Sequence, residues 1–133
     1  MTSYEDINCD LEKLVFLWNA KEGNPGIYDL IWELSFYDLA IEDKYRIAHK
    51  VLREILSEGL VSLEKYQDLT LSKKIEPIKE DKIDDIINNP NSWYPCNEIY
   101  SITLTTKGEK YLNEQNSIKQ DIINIRFKGK NNA

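Results

Sequence analysis

Two stretches constrain this chain more than any others: LREILSEGLVSLEKY from Leu52 to Tyr66, and YSITLTTKGEKYL from Tyr100 to Leu112. In the second, Tyr100, Ile102 and Leu104 alternate with Ser101, Thr103 and Thr105, the period of a strand with one buried face. The alternation breaks at Thr-Thr-Lys-Gly, where a helix begins. The first stretch is the complement: a helix closed by Gly59, which tolerates the left-handed turn at a helix end, running directly into Leu60, Val61 and Leu63 of another strand. Helix, glycine, strand, long connection, strand, helix is an α+β architecture.

The remaining elements follow from spacing. Residues 5–20 carry Ile7, Leu11, Leu14, Val15 and Trp18 at helical intervals, with Ser3 and Asp6 in a capping pattern. Lys21-Glu22-Gly23-Asn24-Pro25 ends that helix through a left-handed Gly23 and starts the next with Asn24-Pro25. The second helix is expected to bury Ile27, Leu30, Ile31 and Leu34 and to leave an aromatic flank of Trp32, Phe36 and Tyr37. A third, from Asp43 to Glu58, buries Tyr45, Ala48, Leu52, Ile55 and Leu56. Trp18 and Trp32 are expected in the core, and Trp93 fits either core or surface.

The two strands are separated by about thirty residues, far more than a hairpin turn requires. Ile75, Ile78, Ile83, Ile86 and Ile87 anchor this insertion, and Glu80 to Asn88 reads as a short helix stopped by Asn89-Pro90-Asn91-Ser92. Trp93-Tyr94-Pro95 is then expected to fold back onto the core. A last helix runs from Thr106 to Gln115, and the alternating stretch within Ile118 to Phe127 suits an extra strand or a pairing arm. The expectation is one domain over 1–133, with a core of 1–117 and a C-terminal arm of 118–133.

Charge narrows function. Asp plus Glu number 23 against 17 Lys plus Arg, a formal charge of -6, so the chain repels phosphate backbones on average. Residues 1–40 hold eight acids and two bases, residues 41–58 balance, residues 59–100 hold eight acids and five bases, and only 101–133 is basic. No N-terminal apolar leader and no long apolar run occurs, so a cytoplasmic protein without membrane contact is expected. Cys9, Cys96 and the sole His49 lack metal-ligand spacing, and phosphate-loop, nucleophile-elbow and zinc-protease motifs are missing. The reading is no enzyme, no cofactor and no metal.

The order of elements is that of a winged helix-turn-helix with a long helical insertion in the wing. LSEGLV followed by ITLTTKGEKYL resembles bacterial regulators of the multiple-antibiotic-resistance and phenolic-acid-repressor kind, over Leu30 to Leu112. The segment KIEPIKEDKIDDIINNPNSWYP is similar to that of small bacterial winged-helix proteins with an Asp/Asn-Pro-x-x-Trp insertion before the last strand. Some proteins of this style are immunity partners of polymorphic toxins, including those of contact-dependent growth inhibition. The resemblance implies an immunity protein whose partner is a cognate C-terminal toxin domain, and a monomer or weak dimer is expected.

Two functions therefore compete. In the first, acids and aromatics cover a basic toxin such as a nuclease: Glu76, Glu80, Asp81, Asp84 and Asp85 with Trp93 and Tyr94, and Asp29, Glu33 and Asp38 with Tyr37 around Trp32, joined by Asp10 and Glu12. The second is a transcriptional regulator that reads duplex DNA with helix three, where Arg46, His49, Lys50 and Arg53 form one basic stripe. Glu42, Asp43, Glu54 and Glu58 cancel that stripe's charge, and the acids of the insertion oppose phosphate, which favours the first.

Overall fold

Asn8 starts the first helix, its side chain accepting a hydrogen bond from Leu11 N–H at 3.2 Å. The computed structural model describes residues 4–23, 25–35, 37–66, 74–94 and 99–115. Helix α1 spans Cys9–Glu22, after a 3-10 turn at Tyr4–Asp6, so the expected start at residue 5 moves past Ile7. Gly23 closes α1 with φ 175°, extended rather than left-handed. Ser3, Asn24, Phe36, Pro95, Cys96 and the expected arm 118–133 lie outside the described residues.

Helix α2, Ile27–Leu34, begins at Gly26, whose N–H donates to the Asp29 carboxylate at 3.1 Å. Gly26 also bridges Ser101, while Ser101 Oγ and Ile102 N–H both donate to Pro25 O. This short extended piece sews the entry of α2 to the later sheet. A Cβ on Gly26 would meet the Tyr28 ring and approach Ile99 at 3.2 Å, so the tight passage suits glycine. Ile27, Leu30 and Leu34 are fully buried, as their spacing predicts, and Ile31 is half-buried.

Helix α3, Ile41–Ser57, buries Ile47, Ala48, Val51, Leu52 and Ile55. Tyr45 and Leu56 are only half-buried, because the helix settles with Ile47 and Val51 at the centre of its inner face. Gly59, at φ 73°, ends it: Leu60 N–H reaches Ile55 O and Gly59 N–H reaches Leu56 O, satisfying carbonyls that the helix leaves open. Strand β1, Val61–Tyr66, follows without a loop.

The sheet is antiparallel and three-stranded, in the order β2-β1-β3, with β2 at Lys74–Pro77 and β3 at Ile99–Leu104. Strand β3 pairs with β1 from Val61↔Leu104 to Tyr66↔Ile99. Strand β2 was not expected. It has four residues and ends in Pro77, which lacks an N–H and so suits only an outer strand.

Helix α4, Glu80–Asn88, matches the expected span, and a 3-10 turn at Pro90–Trp93 follows it. Helix α5, Thr106–Glu114, closes the described chain. Its start explains the Thr-Thr-Lys-Gly junction. Thr105 Oγ1 donates to Gly59 O at 2.7 Å and accepts from Gly108 N–H at 3.0 Å, while Thr105 N–H donates to Leu60 O at 3.1 Å. Gly108 packs so closely there that an added Cβ would lie 2.0 Å from Leu60 O.

Helix α1 is tied in by polar groups as well as by Phe16 and Leu17, which are fully buried. Lys13 Nζ meets Glu58 Oε1 at 2.7 Å and Glu54 Oε1 at 3.5 Å, below the Tyr111 ring. Burial alone would lower the Lys13 pKa, but the Glu58 hydrogen bond and neighbouring charge outweigh it, and the net shift is upward. Glu12 is fully buried and accepts from Tyr37 Oη at 2.6 Å, which fixes the α2–α3 connection.

Two glycine substitutions separate the local effects. Gly108→Ala is expected to destabilise by about 3 kcal/mol through overpacking against Leu60. Gly59→Ala, which meets only a left-handed backbone, should cost about 1 kcal/mol. Urea unfolding midpoints of the two variants check both values and their order.

Candidate interaction surface

The polar face of α3 meets the insertion. Trp93 is 3% exposed, its Nε1 donates to Ile87 O at 2.9 Å, and its ring stacks on His49 with centroids 4.9 Å apart at 21°. Tyr45 packs edge-on against Trp93 at 5.9 Å. One turn further along α3, Arg53 donates to Asn88 Oδ1 and lies 3.4 Å from Asp84 Oδ1. Arg46 lies 3.4 Å from Asp43, and Lys50 is exposed beside it. The expected stripe thus exists as one open trough lined by Arg46, His49, Lys50 and Arg53. Two of its four residues are nevertheless held by α4 and the turn after it.

Burial lowers the His49 pKa and the nearby Arg53 charge lowers it further, which favours the neutral ring where it stacks. Cys9 is half-buried, and burial pushes its thiol pKa up despite the opposing Lys50 charge. That is the reverse of what activates a thiolate. Among the described residues no group of three His, Cys, Asp or Glu side chains is arranged to hold a metal.

The acids divide. Glu80, Asp81, Asp84 and Asp85 are exposed on α4. Asp84 turns toward α3 and lines a cleft with Arg53, whereas Asp85 lines another with Lys65, Lys79 and Lys82, so the adjacent pair diverges as a helix requires. Glu76 lies in β2 opposite Lys65, and its side chain is outside the described residues. Asp10 and Asp38 are exposed, and Glu33 is half-buried. Asp29 is half-buried at the α2 cap, where burial raises its pKa and the Gly26 N–H acts the other way. Glu12 belongs to the interior, not to the surface where its sequence position put it.

Trp93 is corrected too: its indole holds the insertion to α3 and is closed to a partner. Tyr37 is half-buried with its hydroxyl given to Glu12. Trp32, expected in the core, is 73% exposed, and Trp18, also expected there, is half-buried against it. Trp32 fell outside because Leu30 and Leu34 take the inner face of α2, leaving the position between them pointing away. Tyr94 is 61% exposed and Ile41 55%. Ile41 was missed because α3 was expected to start at Asp43; its place in an uncapped first turn was the available signal.

Trp32, Ile41 and Tyr94 occupy elements that converge: α2 packs on the turn at Pro90–Trp93, Tyr94 follows that turn, and Tyr45, one turn beyond Ile41, meets Trp93. Among the described residues no helix is long and apolar enough to cross a membrane. Comparison with protein-family models, curated proteins and solved structures finds no match to this chain.

The His49 stack gives a pH dependence with a definite sign. The unfolded histidine gains its proton near 6.5, the folded one at a lower value. Below 6.5 the unfolded state therefore binds more protons, and stability should fall as the pH drops from that point to the folded value. Thermal unfolding of the parent and of His49→Gln at pH 7.5 and below 6 checks this: the parent should lose more stability on acidification than the variant.

Proposed function

We propose that this chain is a winged helix-turn-helix domain that acts as an immunity protein. It binds a cognate basic toxin, a nuclease first among the candidates, and neutralises it by masking the active cleft or another surface the toxin needs. Support for the winged helix comes from the order of elements: α1, the extended Pro25–Gly26 piece bridged to β3, α2, α3, and then β1 beside β3, with β2, α4 and the 3-10 turn inserted in the wing.

The observation that carries the protein-binding reading is the docking of the insertion on α3. A helix with its side chains is about 10–12 Å across, and the DNA major groove is about 12 Å wide. A helix with Trp93 stacked on its His49 and Asn88 and Asp84 on its Arg53 presents too broad a body for that groove. The charge of -6 opposes the phosphates as well. What remains accessible suits a cationic protein: Glu80, Asp81, Asp84 and Asp85 in one exposed helix, and large aromatics at Trp32 and Tyr94. Complementary charge speeds encounter with such a partner, and a central aromatic supplies the tight contact. The acids would supply the long-range pull and the aromatics the short-range anchor.

Co-expression with a toxic C-terminal domain encoded beside the gene tests the reading: growth should be restored, and the purified pair should form a stable complex. Glu80→Lys with Asp81→Lys should slow association about tenfold at low salt and much less at high salt. Trp32→Ala should weaken the complex by about 2 kcal/mol through faster dissociation. Failure to protect, combined with salt-sensitive binding of duplex DNA that Arg46→Ala plus Lys50→Ala abolishes, would replace this reading with that of a transcriptional regulator.

A further inference from the structure

The junction of α3 with the insertion leaves a cleft of about 330 Å³. Its walls are aromatic and apolar: Tyr45, His49, Ile87, Trp93 and the exposed Tyr94, with Asn88 as a polar group. Small-molecule sites begin at roughly this size and carry this mix of apolar walls and a few placed polar atoms. His49 also forms a wall of the adjoining trough, whose other residues are Arg46, Lys50 and Arg53. An aromatic slot therefore opens, across one shared side chain, onto three cations of a single helix face.

We infer that this cleft and trough form a binding site for a nucleobase bearing a phosphate. The base would enter the slot and lie against Tyr94 and Tyr45, since an aromatic face accepts any base by stacking. Asn88 Oδ1 accepts from Arg53, and its amide N–H groups would donate to a base edge. The neutral His49 ring supplies one donor and one acceptor. The phosphate would sit over Lys50, which lies between Arg46 and Arg53 in the trough.

The neighbouring acids offset part of this charge and not all of it. Asp43 pairs with Arg46 and Asp84 with Arg53 at 3.4 Å each, and Lys50 adds a further positive charge. Glu80 and Asp81 stand at the opposite end of α4 from Asn88, on the order of 10 Å along the helix by its 1.5 Å rise. The overall charge of -6 penalises each phosphate added, so a ligand with one phosphate fits better than a long strand. The inference does not rest on the toxin-binding reading, although the site shares Tyr94 with the surface proposed there.

Adenosine monophosphate titrated into the whole protein, observed through the ring protons of the sole histidine by NMR, tests the inference. Saturable shifts of the His49 signals are expected. Adenosine, lacking the phosphate, should bind about tenfold more weakly, as should Lys50→Glu with the monophosphate, since one charge-assisted contact is lost in each. Tyr94→Ala should also weaken binding, while Lys107→Glu, the same charge change on α5, should not. Lys50, Tyr94 and Lys107 are exposed, and matching thermal midpoints verify that the variants fold. A 5′-phosphorylated dinucleotide distinguishes sources: tighter binding than the monophosphate assigns the site to nucleic-acid ends, equal or weaker binding to free nucleotides, and either sustains it. Unmoved His49 signals at millimolar nucleotide would overturn it. So would equal binding of adenosine and the monophosphate, or equal losses in Lys50→Glu and Lys107→Glu.

Discussion

The junction between the end of α3 and the start of α5 holds the described structure together. Gly59 turns the chain out of α3, Leu60 enters β1, and both carbonyls face the N-terminus of α5, where Thr105 bonds to each. Gly108 must then lie against Leu60 O, at a separation that no side chain permits. Three elements meet at backbone distance, and the register of β1 on β3 follows from where that contact falls. The Lys13 cluster closes the other side by joining α1 to the last turn of α3 and to Tyr111 of α5.

On this frame the insertion acts as a cover. Only Ile87 of α4 is fully buried, and Trp93 is the other main anchor, so the attachment to α3 rests on little apolar area and on the aromatic stack with His49. The same contact supports the proposed function from two directions. It ties His49 and Arg53, half of the basic stripe, to the insertion, and it leaves the acids of α4 exposed. A stripe on a bare helix and a stripe under a cover have the same residues and different chemistry.

Much of this was legible in the chain. Glu80 to Asn88 was readable as a helix because Ile83, Ile86 and Ile87 recur at helical spacing and Pro90 stops it. Strand β3 and α5 were readable because alternation gives way to a Thr cap three residues before a glycine. Strand β2 was not, since four residues with one isoleucine carry no measurable period and acquire their structure from β1. The acids of the candidate surface were identifiable by type, but Glu12 went inward and Trp32 outward against expectation, and Trp93, which fitted either place, went inward.

Local sequence by itself determined the order and nature of most elements, the places where helices stop, and the sign of the net charge, because propensity, capping and periodicity act over a few residues. Tertiary structure alone decided that Glu12 turns inward and Trp32 outward, that a short strand joins the sheet, and that Trp93 covers His49 while Asn88 and Asp84 hold Arg53. Those outcomes depend on residues about forty positions apart competing for the same buried space, and no local pattern records which of them wins.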